Sequence, residues 1–404
     1  MLETLLVNLC RRRTEPFSDA RLVAPLEDTA QWRSFVDFAS RHRVLGLSLA
    51  VLERSGCFPA ETPRGHEIGE MLRRLRRRSA GFGFARDRIA ETLAASGVRA
   101  VVLKGAASAD ELYSDPVERD LRDVDLLVGR PDLEQAIELM SGMGFTGPPS
   151  RELFNAYLDH HFHLPMWHNA MPLIELHWGL AKREWLFDLD PGAVLERAVT
   201  CDEGGVARLV PCAEHQLLHL VLQNLQEGFS RLSRAVEVDR LVASGRLDWE
   251  VLVDQATRGN LRSATAVTLQ TAARLLGTPL PARGMRALTP GPVSRFFISA
   301  MRPQAALLEQ RFERSFTTGM LLQLWLLRGS TDRVRLLGRS LQPTLVMAPE
   351  PVHAVNFGQR ILRLGKLAAL QAGLTLRGLL SQITASGRDQ MRFWSSQASS
   401  SERL

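Results

Sequence analysis

Lysine is scarce in this chain. Only Lys104, Lys182 and Lys366 occur, so arginine carries nearly all of the positive charge. Cysteine is equally sparse. Cys10, Cys57, Cys201 and Cys212 lie far apart and form no C-x-x-C pair. That excludes zinc-finger spacing and a disulfide scaffold, and predicts a reduced, cytoplasmic protein. No apolar run approaches the length of a membrane span. The most hydrophobic segment, 321–327, is interrupted by Gln323 and ended by Arg328. The opening MLETLLVNLCRRRTEP puts its apolar run before its arginines, the reverse of a secretory signal.

What is present is an ordinary globular composition. The 404 residues are 45% hydrophobic, enough for a substantial core in two or three domains. The net charge of +6 and the pI of about 9.6 leave open an anionic substrate, nucleic acid or an acidic partner. A solvated, arginine-rich surface is the simpler account. The densest basic run, RRLRRRS at 73–79, falls in a helical pattern striped by Met71, Leu72, Leu75, Phe82 and Ile89. It lacks the interleaved aromatics of a single-strand platform, so a solvated helix face is preferred to a polyphosphate-binding surface.

The chain divides by pattern. Residues 1–97 read as helical, with Trp32, Phe35, Val36, Phe38 and Ala39 at helical spacing and Gly97 as the stop. Residues 98–210 alternate strands and helices. Strands are predicted over 99–103, 123–128, 161–167 and 173–178, the last two as a hairpin turning at 168–171, with a further strand over 204–210. Residues 211–278 read as a helical bundle, 279–300 as a Pro/Gly-rich linker, 301–390 as a second helical region and 391–404 as a disordered tail. The fold class is therefore α/β (α+β), a small mixed sheet with helices, flanked by helical N- and C-terminal regions.

The stretch LKGAASADELYSDPVERDLRDVDLLV, 103–128, carries the chemistry. Residues i and i+2 of a strand share a face, so Asp123 and Asp125 project together. Two carboxylates so close repel unless a cation or a proton stands between them. A hard divalent ion such as Mg²⁺ suits them, because it binds carboxylates and substrate phosphates together. A lone D-x-D is weak by itself, but here Lys104-Gly105 sits where a strand enters a helix. Free N–H groups and the helix dipole favour phosphate at such a place. Further on, Glu175 and His177 share one face of the strand IELH. A carboxylate on a central strand is costly unless paired, exposed or metal-bound.

These residues together resemble a known family. L-K-G at 103–105, Tyr113, Asp115-Pro116, Arg119, D-V-D-L-L-V at 123–128 and I-E-L-H-W at 174–178 look like the uncharacterised bacterial nucleotidyltransferases of the DNA polymerase beta-like superfamily. The resemblance extends over roughly residues 32–276. It departs from the wider superfamily in having Lys104-Gly105 where Gly-Ser usually follows the first strand. It implies that Asp123, Asp125 and Glu175 are the catalytic, metal-holding acids, with two Mg²⁺ ions expected and Mn²⁺ as an alternative. Lys104 and the N–H groups of Gly105, Ala106 and Ala107 would hold the triphosphate, with Arg119 and Arg122 as further phosphate candidates. His177 would orient Glu175 or an acceptor from a supporting position, and a satisfied structural histidine is the simpler account. His215 and His219, four apart on one helix face, resemble a helical histidine signature of the family, and Asp239 on the next helix is a further supporting candidate. His160, His161, His163 and His168 lack partner cysteines, and alternation puts only His161 and His163 on one face, so zinc is not expected.

The implied reaction is transfer of a nucleoside monophosphate, AMP from ATP, to a hydroxyl or similar group of a peptide, protein or small metabolite. Two competing functions remain from this reading. One is a non-catalytic nucleotide-binding adaptor, which the altered glycine turn would favour. The other is a basic nucleic-acid-binding protein using 73–78, which is disfavoured.

Overall fold

The computed structural model describes residues 1–13, 17–181, 185–202, 206–291, 294–295, 323–327, 329–340, 345–346 and 353–354. Its N-terminal helices are α1 (Leu2–Cys10), α2 (Ala20–Val23), α3 (Thr29–Arg41), α4 (Leu45–Ser55) and the long α5 (Pro63–Ala95). Their starts obey local rules. Asp28 accepts hydrogen bonds from the Ala30 and Gln31 N–H groups at the head of α3. Thr62 caps α5 through Gly65 N–H, with Pro63 as the first helical residue. Gly97, with φ +78°, follows the end of α5, the left-handed geometry that stops a helix.

The central region contains β1 (Ala100–Leu103), α6 (Lys104–Leu112), β2 (Val124–Val128), α7 (Leu133–Gly142), α8 (Arg151–His160), β3 (His163–Met166), β4 (Ile174–His177), α9 (Pro191–Glu196), β5 (Val199–Cys201) and β6 (Arg208–Val210). The strands form one mixed sheet in the order β3-β4-β2-β1-β6-β5. β2 runs antiparallel to β1 and parallel to β4, and β3 and β4 form the antiparallel hairpin expected from their alternation. The architecture is thus a small mixed α/β sheet wrapped by helices.

Alternation along the strands feeds two cores. Val102, Val124, Leu126, Ile174 and Leu176 pack on one face with α5, α6 and α7 residues such as Ile89, Ala106 and Ala136. Val101, Leu103 and Leu127 point the other way, into the larger core that holds the N-terminal helices and the following bundle. That bundle is α10 (Ala213–Glu227), α11 (Leu232–Ala243), α12 (Trp249–Arg258) and α13 (Arg262–Leu276). The stretch read as a linker contains α14 (Ala282–Leu288), whose Met285 and Leu288 are buried. Of 301–390, a helix at Ser330–Ser340 and the short pair Leu345–Val346 with His353–Ala354 are described. The expected tail, 391–404, lies outside the described residues.

Two local differences from the sequence reading matter for the site. No separate turn joins β1 to α6. Lys104 alone turns the chain, with φ +54°, a left-handed conformation that costs a non-glycine residue about 1 kcal/mol or more. The arginine run is only partly a solvated face. Arg76 bonds Asp115 at 2.9 Å and Glu53 at 3.0 Å, and Arg78 donates to the Leu121 carbonyl.

Candidate active site

The sheet register assembles the site. β2 and β4 are parallel neighbours with Asp125 opposite Glu175 and Leu127 opposite His177. Partners in register share a face, so Asp125 and Glu175 point together from adjacent strands. Asp123 lies two residues before Asp125 on that side. Across the hairpin His163 stands opposite His177. Leu103, the residue before Lys104, is opposite Asp125, which places the head of α6 beside the acids. Backbone pairing alone therefore brings Lys104, Asp123, Asp125, His163, Glu175 and His177 to one patch.

The side chains meet there. One carboxylate oxygen from each of Asp123, Asp125 and Glu175 lies within 4.8 Å of the others. Asp125 is fully buried. Its Oδ1 accepts from the Lys104 ammonium and lies 2.9 Å from His177 Nε2. Lys104 Nζ also stands 3.3 Å from Glu175 Oε2. The lysine ammonium thus occupies the space between the two carboxylates.

The electrostatics follow from crowding. Burial and the neighbouring Asp125 charge raise the pKa of Asp123. Glu175 is also penalised by burial, but the His177 hydrogen bond and the Lys104 charge outweigh that and hold it low. Burial likewise opposes a charge on Lys104, yet Asp125 and Glu175 raise its pKa overall. Burial and Lys104 oppose protonation of His177, and its bonds to Asp125 and Glu175 win, for a net rise. Three carboxylates share one ammonium at this patch, an excess of negative charge with hard oxygen donors. That donor set fits a divalent ion of the Mg²⁺ type.

The remaining candidates separate. Gly105, Ala106 and Ala107 form the first turn of α6, next to the acids. A Cβ on Gly105 would lie 2.6 Å from the Arg119 guanidinium, so the glycine admits that side chain. Arg119 itself is buried and paired with Glu237 at 3.1 Å. Its charge is therefore engaged inside the protein, and the structure does not direct it to the acids. Arg122 is exposed. Asp239 is buried away from the patch, bonded to Arg12 at 2.7 Å and to the Thr278 hydroxyl at 2.7 Å. His219 does reach the site, lining a cavity of about 20 Å³ with Lys104, Ser108 and Glu237. Burial and the Lys104 charge hold its pKa well below the usual value. His215 instead lines a cleft of about 350 Å³ with Asp190, Arg197 and Asp254.

Two groups escaped the sequence reading. Glu237 accepts from Ser108 at 2.7 Å and pairs with Arg119 and with Arg234, the latter at 3.2 Å. It ties α11 to the head of α6, the place that Asp239 was expected to support. The signal was present: on α11 Glu237 and Arg234 are three apart and share a face. His163 was considered only beside His161, whereas the hairpin register pairs it with His177. Its Nε2 lies 3.8 Å from Glu175 Oε1.

Comparison with known proteins identifies a family. A family model described as uncharacterised nucleotidyltransferase matches residues 28–277. No curated protein matches the chain. Among solved structures, the crystal structure of an antigenic nucleotidyltransferase-like protein from Paracoccidioides brasiliensis is similar at 13% identity, covering 52% of this chain and 93% of that one, with a TM-score of 0.32.

Proposed function

Because the chain belongs to the uncharacterised nucleotidyltransferase family, we propose that it is a divalent-cation-dependent enzyme that transfers a nucleoside monophosphate, AMP from ATP, to a hydroxyl-bearing acceptor. The observation that carries this reading is the convergence of Asp123, Asp125 and Glu175 to within 4.8 Å on one sheet face. These three residues would hold two Mg²⁺ ions, with Mn²⁺ as the alternative. Bound there, the ions would neutralise charge on the transferring phosphoryl group and on the departing pyrophosphate.

The chain's own residues have defined work in this scheme. The first-turn N–H groups of α6, at Gly105 to Ala107, follow Lys104 directly and would bind the anionic triphosphate. Lys104 supplies a positive charge paired with both acids, within reach of phosphates bound beside them. His177 fixes the orientation of Asp125 through its 2.9 Å bond. Glu175, one-fifth exposed at its side chain, would complete the position of the ion that activates the acceptor. The helices after Pro211 would shape the acceptor or base pocket, with His219 packed beside Lys104. Among the described residues no helix is long and apolar enough to cross a membrane. The reading places the protein in the cytoplasm, where ATP is abundant and cysteines stay reduced. Peptides, proteins and small metabolites remain the acceptor classes.

One observation favours a second reading, a nucleotide-binding adaptor without catalysis. The Lys104 ammonium already bridges Asp125 and Glu175, so the protein supplies its own cation there. Incubation with each NTP, Mg²⁺ and cell extract, followed by mass spectrometry of acceptors and a pyrophosphate assay, separates the two. Nucleotide-modified products with pyrophosphate release support the transferase. Nucleotide binding without either product supports the adaptor.

A further inference from the structure

The carboxylate cluster has an imidazole neighbour that the transfer scheme leaves unused. His163 Nε2 stands 3.8 Å from Glu175 Oε1, and His177 Nε2 stands 3.4 Å from Glu175 Oε2. One ligand atom from each of these three residues lies within 4.8 Å of the others. We propose that His163, Glu175 and His177 form a second, nitrogen-rich cation position that takes a first-row transition ion of the Zn²⁺ type.

An ion there would take over the contact that His177 Nε2 now makes with Asp125 Oδ1 at 2.9 Å and with Glu175 Oε2. The two spacings to Glu175 are long for hydrogen bonds between charged or polar groups, which prefer about 2.7–3.2 Å. The 3.4 Å spacing matches the edge of a coordination tetrahedron, and the 3.8 Å spacing is a little longer than it. Ligands about 2.0–2.1 Å from a tetrahedral ion stand about 3.4 Å from each other. His177 Nδ1, the other ring nitrogen, faces the Gly179 carbonyl at 3.4 Å. A backbone carbonyl facing the far nitrogen is the usual neighbour of a ligating histidine, and shortening this 3.4 Å contact would orient the ring. The His163 ring is held by packing against Phe162 and His177, and its buried Nδ1 has no hydrogen-bond partner among the described residues.

The backbone explains why the set is preorganised. His163 and His177 are directly opposed across the β3–β4 hairpin, and Glu175 lies two residues from His177 on the same face. Their rings are 4.9 Å apart, centre to centre. β3 is the edge strand of the sheet, and the His163 side chain is one-fifth exposed, which leaves an entry path. Donor chemistry then separates the two positions. Carboxylates alone suit Mg²⁺, whereas imidazole suits Zn²⁺, Co²⁺ and Cu²⁺. Glu175 belongs to both sets and would bridge them.

The inference concerns cation binding alone, so it holds or fails without any transfer activity. Co²⁺ is the probe, read by its visible absorption in full-length protein without nucleotide. The wild type is expected to bind Co²⁺ saturably, and Zn²⁺ but not millimolar Mg²⁺ should displace it. His163→Gln should weaken Co²⁺ binding at least about tenfold while the far-ultraviolet circular dichroism stays native. Unchanged Co²⁺ affinity in that variant, or displacement by Mg²⁺, overturns the proposal. Should His163→Gln not fold, pulsed electron paramagnetic resonance of Cu²⁺-loaded wild type decides. Nitrogen couplings from coordinated imidazole support the site, and an all-oxygen spectrum overturns it. Nitrogen ligation in a protein that transfers no nucleotide would refute the transferase and leave this site standing.

Discussion

Asp125 and Glu175 are register partners on adjacent parallel strands, 50 residues apart in sequence and side by side on one face. Two buried acids in that position repel, and the Lys104 ammonium between them offsets the repulsion. The site is thus assembled before any ligand arrives, with a cation of the protein's own in place.

Replacing Lys104 tests that balance. Lys104→Met leaves Asp125 and Glu175 facing each other with His177 alone for support. Stability without divalent ions is expected to fall by about 3 kcal/mol, the cost of breaking a buried pair. Mg²⁺ should then raise the melting temperature of the variant more than that of the wild type. Calorimetry should also show weaker ATP binding. A variant as stable as the wild type, with the same response to Mg²⁺, would remove Lys104 from the cation balance.

Arg119 is expected to matter for folding more than for nucleotide affinity. Arg119→Met strands Glu237 in the interior, where it has Ser108 and Arg234 as its remaining partners. A loss of about 3 kcal/mol follows from leaving a buried charge short of its partner. Denaturant titration measures it. A stable variant with much weaker ATP binding would return Arg119 to the phosphate site.

Gly105 is a packing requirement. A Cβ there meets the Arg119 guanidinium at 2.6 Å and Leu121 Cδ2 at 2.8 Å. Arginine ends are normally free to move, but this one is buried against Glu237. Gly105→Ala should therefore destabilise by about 1–3 kcal/mol, the range for overpacking. Thermal melts that match the wild type would show that Arg119 relaxes without leaving Glu237.

The sequence made the acids and their faces legible, because strand alternation fixes which side chains project together. Asp123 and Asp125 needed only that rule, while Glu175 was joined to them by the family resemblance. What it left out was strand order, which decides neighbours across the sheet. His163 meets His177 because β3 turns back on β4, and alternation within either strand is blind to that. The contacts of Arg119 and Asp239 were hidden for a related reason. Their charges are visible in the sequence, but their partners, Glu237, Arg12 and Thr278, come from distant helices. Strand β5 and helix α9 are short, with three and six residues, and too brief for a period to register.

Acid should destabilise the fold partly through His215. Burial, with help from Arg197, pulls its pKa down to about 4. The unfolded chain takes up this proton below about pH 6.5, and the native state does so only near the lower value. Stability is therefore lost as pH falls from about 6.5 towards 4, and the loss at about pH 5 is roughly 2 kcal/mol. His215→Gln should flatten that part of the curve in urea titrations run across the range. An unchanged slope would mean that His215 is solvated in solution.

The most direct test of the transferase reading compares ATP labelled at the α-phosphate with ATP labelled at the γ-phosphate. Each is incubated with wild-type protein, Mg²⁺ and an acceptor pool, beside Asp125→Asn and Glu175→Gln. The account predicts that the α-label enters acceptor, that the γ-label leaves as pyrophosphate, and that both variants lose about three orders of magnitude or more in rate, the several kcal/mol expected of metal-assisted transfer. Incorporation of the γ-label, or undiminished α-label transfer by Asp125→Asn, would contradict it.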